Sequence, residues 1–265
     1  MANRVELYRH TYGNFTERVL AEIRQQTYGE DIGQNSWITA EEYDAFYGWL
    51  GLSPDAHVLE VASGSGGPAL HLARKHGCRI TGIDINEEGL NTARQAASAG
   101  EVVNAEFRWA DVDQRLPFDD ETFDAIVCID SLNHFRDRLA VLREWHRVLK
   151  SGRRVVFTDP VVITGPITNE ELATRSSIGF FVFVPADVTE SMIENAGFHL
   201  LRRENVTEQI ALTSGRWHAA RDQRQNDLLQ IEGAERFAGV QGFLAAVHKL
   251  TDERRLSRYV FVAEK

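Results

Sequence analysis

The sequence is short of cysteine, of basic residues relative to acidic ones, and of long apolar runs. Its 265 residues include two cysteines, Cys78 and Cys128. Both fall in runs that read as buried strands, where a thiol behaves as a small hydrophobe and not as a disulfide partner or metal ligand. Asp and Glu number 39 against 29 Lys and Arg, a formal net charge of -10. A polyanion is repelled by that balance on average, which disfavours DNA and bulk RNA as partners. The longest apolar stretch, near residues 179–186, is far too short to span a bilayer, and the opening MANRVELYRH has no apolar core of signal-peptide length. A soluble, cytoplasmic protein is therefore expected, with no membrane partner. No internal repeat or low-complexity segment is visible.

What is present suits one catalytic domain with insertions: 43% hydrophobic and 26% charged residues can bury a single sizeable core. From Ala56 to Asp159 short β-branched runs alternate with amphipathic stretches, the pattern of βαβ units and a parallel sheet. Strands are expected at 57–62, 79–83, 105–109, 123–129 and 153–158. Helices are expected to open at Gly67-Pro68, at an Asn86 cap, and where Leu142, Trp145 and Leu149 recur at helical spacing. Residues 1–55 read as an N-terminal helical lid. One helix there carries Phe15, Val19 and Ile23 on one face, and another is opened by Thr39 and Glu42 as a capping box. The loop YGEDIGQNSWIT, with Gly29, Gly33 and Trp37, joins them and suits a cover over a ligand. The core takes up 56–265, with cap insertions at about 160–187 and 209–254. The first is irregular and aromatic (Phe180, Phe181, Phe183), the second mostly helical. A helix capped by Asp187 with Glu190, a strand at 198–205 and a closing strand in LSRYVFVAEK complete the order.

The most informative segment is VLEVASGSGGPALHLA, residues 58–73. An apolar strand runs into a turn with Gly64, Gly66 and Gly67 and then a helix, so the backbone can approach a ligand whose polar groups meet the helix N-terminus. Gly64, Gly66 and Ala69 alone would also satisfy a dinucleotide fingerprint. Glu60 argues otherwise, because a carboxylate at an otherwise apolar strand end can hold the ammonium of a methionine moiety. Asp84, ending the next strand, is placed to accept both ribose hydroxyls of either cofactor type. Asp111, after the third strand, can accept from an adenine amino group, and Val112 can offer its backbone N–H to the ring.

Together these residues resemble the class I S-adenosylmethionine-dependent methyltransferases, in their type 11, small-molecule group. The resemblance covers roughly Val58 to Pro160, with motif I at Glu60 to Gly67, the acid Asp84, the adenine-side Asp111 and the LPF run at Leu116 to Phe118. It implies a Rossmann-like α/β fold with a mostly parallel seven-stranded sheet flanked by helices, and S-adenosyl-L-methionine as cofactor. One departure is Ala62, where that family usually has glycine; the extra methyl should tighten the methionine end. The implied cofactor-facing set is Glu60, Ala62, Ser63, Gly64 and Gly66, with Asp84, Ile85, Asp111, Val112, Asp130 and the loop residue Trp37.

After the fourth strand stands Asp130-Ser131-Leu132-Asn133-His134-Phe135, neither the N-P-P-Y-type signature nor the Pro-Cys pair of nucleobase methylation. The run is similar to the S-L-H-H stretch of sugar O-methyltransferases and of sarcosine/dimethylglycine and phosphoethanolamine N-methyltransferases. A small-molecule acceptor is expected, methylated at N or O by in-line displacement, which needs positioning first and a base only if the acceptor is protonated. His134 is the first candidate base and Asp159 the second; a packing role for His134 and a turn role for Asp159 are the plainer alternatives. Arg216, Trp217, His218 and Arg221 could meet an anionic substrate or simply face solvent. No metal site is expected. Competing readings are a cofactor-binding subunit without catalysis and a nicotinamide-dependent oxidoreductase, the latter opposed by Glu60, Asp111 and the LPF run.

Overall fold

Alternate residues of the central strands enter two different apolar layers. In β1 (His57–Val61) Val58 faces one layer while Leu59 and Val61 face the other; in β4 (Phe123–Cys128) Ala125 and Val127 oppose Ile126 and Cys128. Strands covered on both faces need apolar side chains throughout, which is why these runs show no polar alternation. The computed structural model describes residues 7–265; residues 1–6, the opening of the expected lid segment, lie outside the described residues.

The sheet continues with β2 (Arg79–Asp84), β3 (Ala105–Trp109), β5 (Leu149–Ile163), β7 (His199–Asn205) and β8 (Leu256–Glu264), in the order β3-β2-β1-β4-β5-β8-β7. The first five of these are parallel, and β8 runs antiparallel between β5 and β7. A two-residue strand, β6 (Val184–Pro185), adds to the far end of β5. One face is covered by α3 (Ala40–Gly48), α4 (Gly67–His76) and α5 (Glu87–Ala99), the other by α6 (Arg138–Val148) and α8 (Val188–Asn195). This is the expected Rossmann-like α/β architecture.

Above the carboxyl ends of the strands lie α1 (Leu7–Gly13), α2 (Arg18–Tyr28), α7 (Asn169–Arg175), α9 (Thr207–Gln223) and α10 (Gln225–Asp252). The last two pack along each other and bury Ile210, Val240, Phe243 and Val247 with Trp37, while α2 adds Ile23 against Ala220 and Leu228. A break at Gly233 (φ 75°, ψ 166°) divides α10.

Side-chain caps start α3, α5, α6 and α7, and the caps correct two expectations. Asn86 accepts from Gly89 N at 3.1 Å as anticipated. Thr39 accepts from Glu42 N at 3.2 Å, but the Glu42 carboxylate turns to Arg258, leaving half a capping box. Asp187 holds a left-handed φ of 71° and caps nothing with its side chain. The 160–187 stretch is less irregular than expected, because Thr168 and Glu171 form a complete capping box that starts α7.

Candidate active site

Strand order reverses at β1, which has β2 on one side and β4 on the other. Connections leave in opposite directions there and open a crevice, the usual ligand position in an open parallel sheet. A cavity of about 660 Å³ occupies it, lined by residues after β1 (Ala62 to Ser65), β2 (Ile85, Asn86), β3 (Asp111, Val112) and β4 (Asp130, Ser131). Tyr8 and Tyr12, one turn apart on α1, close it together with Gly33, Asn35 and Ser36. The volume is that of a small-molecule site.

The turn after β1 takes its shape from left-handed backbone at Ala62 (φ 57°), Gly64 (φ 53°) and Gly66 (φ 75°). That conformation costs an alanine about 1–2 kcal/mol, so Ala62 stores strain at the cavity wall. A Cβ on Gly66 would stand 2.5 Å from the Ala93 Cβ, and one on Gly67 2.2 Å from the Ile32 carbonyl oxygen. Both glycines are needed for α4 to meet α5 and the covering loop at this closeness.

Two carboxylates face the cavity with capacity to spare. Glu60 is 4% exposed; its Oε1 accepts from Tyr43 Oη at 2.8 Å, and its Oε2 has no partner among the described residues. Burial pushes its pKa up to about 7, against the Tyr43 bond, with the Asp84 charge adding to the rise. A buried carboxylate oxygen without a donor fits a cationic ligand group. Asp84 accepts from Gly64 N at 2.8 Å through Oδ2 and from Asn86 N at 2.7 Å through Oδ1. Each oxygen keeps a further lone pair for a hydroxyl donor. Burial raises its pKa despite these backbone donors. Asp111 is bound to its own loop through Asp113 N at 3.0 Å.

Asp84→Ala is accordingly expected to weaken S-adenosylhomocysteine binding by about 1 to 3 kcal/mol, roughly 5- to 150-fold in Kd. Because Gly64 N and Asn86 N lose their acceptor as well, the variant should also unfold more easily, contrary to what a purely ligand-facing acid would show. Calorimetric titration checks the first effect; an unchanged Kd would put Asp84 outside the cofactor site.

Opposite these acids stands His134, at the end of a 3₁₀ turn, Leu132–His134. Its Nδ1 lies 2.8 Å from the Phe180 carbonyl oxygen, which can only accept, so Nδ1 carries the hydrogen. Nε2 is then an acceptor and takes the Tyr8 hydroxyl at 2.9 Å. Desolvation, with Arg175 and Arg138 nearby, pushes the imidazole pKa down to about 4, so the ring is neutral near pH 7. Burial raises the Tyr8 pKa. The pair can pass a proton from the cavity through Tyr8 Oη to Nε2.

Of the expected site residues, Asp159 lies elsewhere, and Trp37 and Asp130 are held by other partners. Asp159 is fully buried and bonded to Arg138 Nη1 at 2.6 Å and Thr189 Oγ1 at 3.2 Å, away from the cavity. It joins β5 to α6 and α8 and cannot reach an acceptor. Trp37 turns its indole into the α9 and α10 layer against Trp217 and Phe243, although neighbouring Asn35 and Ser36 do line the cavity. Asp130 borders the cavity in left-handed conformation (φ 53°), but both its oxygens are taken, by Arg258, Thr158 Oγ1 and Trp37 N. Of the possible anion-facing group on α9, Arg221 is buried against Glu232.

A glycine turn, a half-satisfied buried glutamate and an acid at the end of β2 are gathered at the switch point of a parallel sheet, where a nucleotide-like cofactor can sit. The family described as methyltransferase domain matches residues 58–152. The sarcosine/dimethylglycine N-methyltransferase of Halorhodospira halochloris is 31% identical over 220 residues, 78% of this chain and 73% of that protein. The 27-O-demethylrifamycin SV methyltransferase of Amycolatopsis mediterranei (strain S699) is 28% identical over 232 residues, 81% and 84% of the two chains. The cyclopropane synthase MmaA2 from Mycobacterium tuberculosis shares the fold, with a TM-score of 0.82 at 18% identity over 98% of this chain and 99% of that one. The chain belongs to the class I S-adenosylmethionine-dependent methyltransferases. Its reaction moves a methyl group from S-adenosylmethionine to a small-molecule acceptor, leaving S-adenosylhomocysteine.

Four residues around the site have no distinctive signal in the sequence. Tyr8 and Tyr12 sit in a stretch without clear period. Tyr43 looks like any core aromatic of α3. Arg175 follows the Thr168-x-x-Glu171 capping box, which would have revealed its helix.

Proposed function

We propose that the cleft binds S-adenosylmethionine with its ammonium at Glu60, its ribose hydroxyls at Asp84, and its adenine between Ile85, Asp111 and the Val112 backbone. When bound, the cofactor supplies an electrophilic methyl group. The acceptor enters on the Tyr8 and His134 side, where its lone pair is aligned and water is excluded by α1 and the 33–36 loop. Positioning of this kind is worth about 7–11 kcal/mol. The Tyr8–His134 hydrogen bond carries the reading of the acceptor: a neutral relay suits an N–H or O–H nucleophile that must shed a proton. The relatives named for sarcosine/dimethylglycine and for a 27-O-demethyl antibiotic support N or O as the methylated atom. Free thiols at Cys78 and Cys128 suit a reducing, cytoplasmic setting. Among the described residues, no helix is long and apolar enough to cross a membrane.

Glu60 gives the test of this pose. With its folded pKa raised to about 7, it binds a proton more readily folded than unfolded. Its contribution to stability is thus present below its ordinary carboxylate range and lost as pH rises through 7. A ligand ammonium favours the ionised form, so binding releases that proton. Affinity for S-adenosylhomocysteine should fall roughly tenfold from pH 8 to pH 6, with proton release seen by calorimetry in buffers of different ionisation enthalpy. Glu60→Gln should bind more weakly and without this pH dependence. An equal slope in both proteins would move the ammonium away from Glu60.

A further inference from the structure

Arg175 ends α7 with its side chain 1% exposed, and no carboxylate meets it among the described residues. Its guanidinium carbon stands 4.8 Å from the centroid of Phe181, 5.2 Å from that of Phe243 and 6.0 Å from that of Trp37. Ring faces attract the charge but cannot accept its in-plane N–H bonds. Nε and Nη1 have no hydrogen-bond partner among the described residues. The acids whose charge it feels are committed elsewhere, Asp130 to Arg258 and Asp159 to Arg138. Burial lowers its pKa to about 10, which still leaves it charged at neutral pH. A buried cation with idle donors is costly unless something supplies the missing oxygens.

Arg175 lines a small cavity of about 30 Å³ together with Tyr8, Asn35, Asp130, Asn133, His134 and Phe181, the Asp130 carboxylate being held by Arg258. Tyr8, Asn35 and His134 line the large cavity too, so the small one is its inner end. Asn35 Nδ2 is likewise buried and makes no hydrogen bond within normal geometry, the Tyr12 hydroxyl being its polar neighbour. A carboxylate whose tail runs out into the large cavity would supply the acceptor oxygens that these donors lack.

We propose that Arg175, with Asn35, is the subsite for a carboxylate on the acceptor, holding a small carboxylic acid so that its nucleophilic atom stands beside Tyr8 and His134. This names the substrate class of the site proposed above and rests on the acceptor entering there. A guanidinium pairs with a carboxylate through two parallel bonds, fixing orientation as well as charge. A neutral analogue leaves the arginine unpaired, so the site rejects it. Neutralising Arg175 also removes one of the charges that depress His134, so the ligand that needs the relay makes it more basic.

The test loads the full chain with S-adenosylhomocysteine and measures binding of acetate and benzoate, of acetamide and benzamide, and of inorganic phosphate, at constant ionic strength. Both carboxylates should bind and raise the Tm, and the amides and phosphate should not. Arg175→Met should lose at least about tenfold in benzoate affinity while binding S-adenosylhomocysteine within a few-fold of the parent. Arg175→Lys should keep part of the response, and it serves, with Asn35→Leu, if the methionine variant does not fold. Equal binding of benzoate and benzamide, a preference for phosphate, or an unchanged benzoate affinity in the Arg175 variants would each overturn the carboxylate subsite. Failure of S-adenosylhomocysteine to bind the parent protein would instead overturn the cofactor pose.

Discussion

Arg258→Met is expected to lower the free energy of unfolding by about 3 to 5 kcal/mol, the scale for removing one member of a buried ionic cluster. Arg258 is fully buried on β8. Its Nε and Nη2 reach Asp130 at 2.7 and 3.3 Å, and its Nη1 reaches both Glu42 oxygens at 2.8 Å. Asp130 in turn accepts from Trp37 N at 2.9 Å and Thr158 Oγ1 at 2.8 Å. One guanidinium thereby ties α3, the 35–37 loop, β4, β5 and β8 into the rear wall of the cleft. Without it two carboxylates stay buried and unpaired, a cost that methionine's apolar volume does not offset. In a chain of this size the loss corresponds to a fall in Tm of roughly 6 to 20 °C.

The sign of the pH dependence follows from the carboxylates. Burial already raises the Glu42 pKa even with Arg258 present. Removing the cation raises it further, so the variant takes up protons on folding, and stability rises as pH falls. The deficit should therefore be smaller at pH 5 than at pH 8. Adding Asp130→Asn to the variant should cost less than the two single changes summed. Chemical denaturation at both pH values checks this, and a deficit under about 1 kcal/mol would show that water solvates the cluster.

The same cluster explains why some expected site residues are held by distant partners. Period and turn chemistry are local, so the strands, the glycine turn and the Asn86 cap could be read directly from 57–109. Glu60 was legible because a lone acid at the end of an apolar strand is conspicuous. Asp130 and Asp159 were conspicuous for the same reason, yet their partners, Arg258 and Arg138, lie 128 and 21 residues away. No spacing rule links an acid to a cation brought beside it only by sheet order. Trp37 is similar: its loop covers the cavity, but the indole packs on Trp217 and Phe243, far along the chain. Tyr8 and Arg175 gain meaning only once the fold brings both to one small cavity.

His134→Ala is expected to lower turnover by about 10² to 10⁴, the usual contribution of a positioned base, while cofactor affinity stays within a few-fold. Nε2 has no contact with the cofactor-facing acids; its bond is to Tyr8 Oη. In the proposed relay Tyr8 would supply the oxygen that meets the acceptor, and His134 the lone pair that receives the Tyr8 proton as the acceptor sheds its own. Tyr8→Phe should thus lose a similar factor, and the double variant should be little worse than either single, since groups acting as a unit are not additive. Protonation of Nε2 breaks the relay, so the limb of kcat/KM due to His134 lies near its depressed pKa of about 4. Activity should be kept from pH 8 down to about pH 5 as far as this group decides, and lost as pH falls through 4. A packing role predicts a different set of results. The alanine variant would then lose stability or cofactor affinity, Tyr8→Phe would be near wild type, and turnover at saturating cofactor would survive both changes. Measuring kcat, cofactor Kd and Tm on the two single variants and the double separates these cases, because only the relay lowers kcat alone and by the same factor in all three.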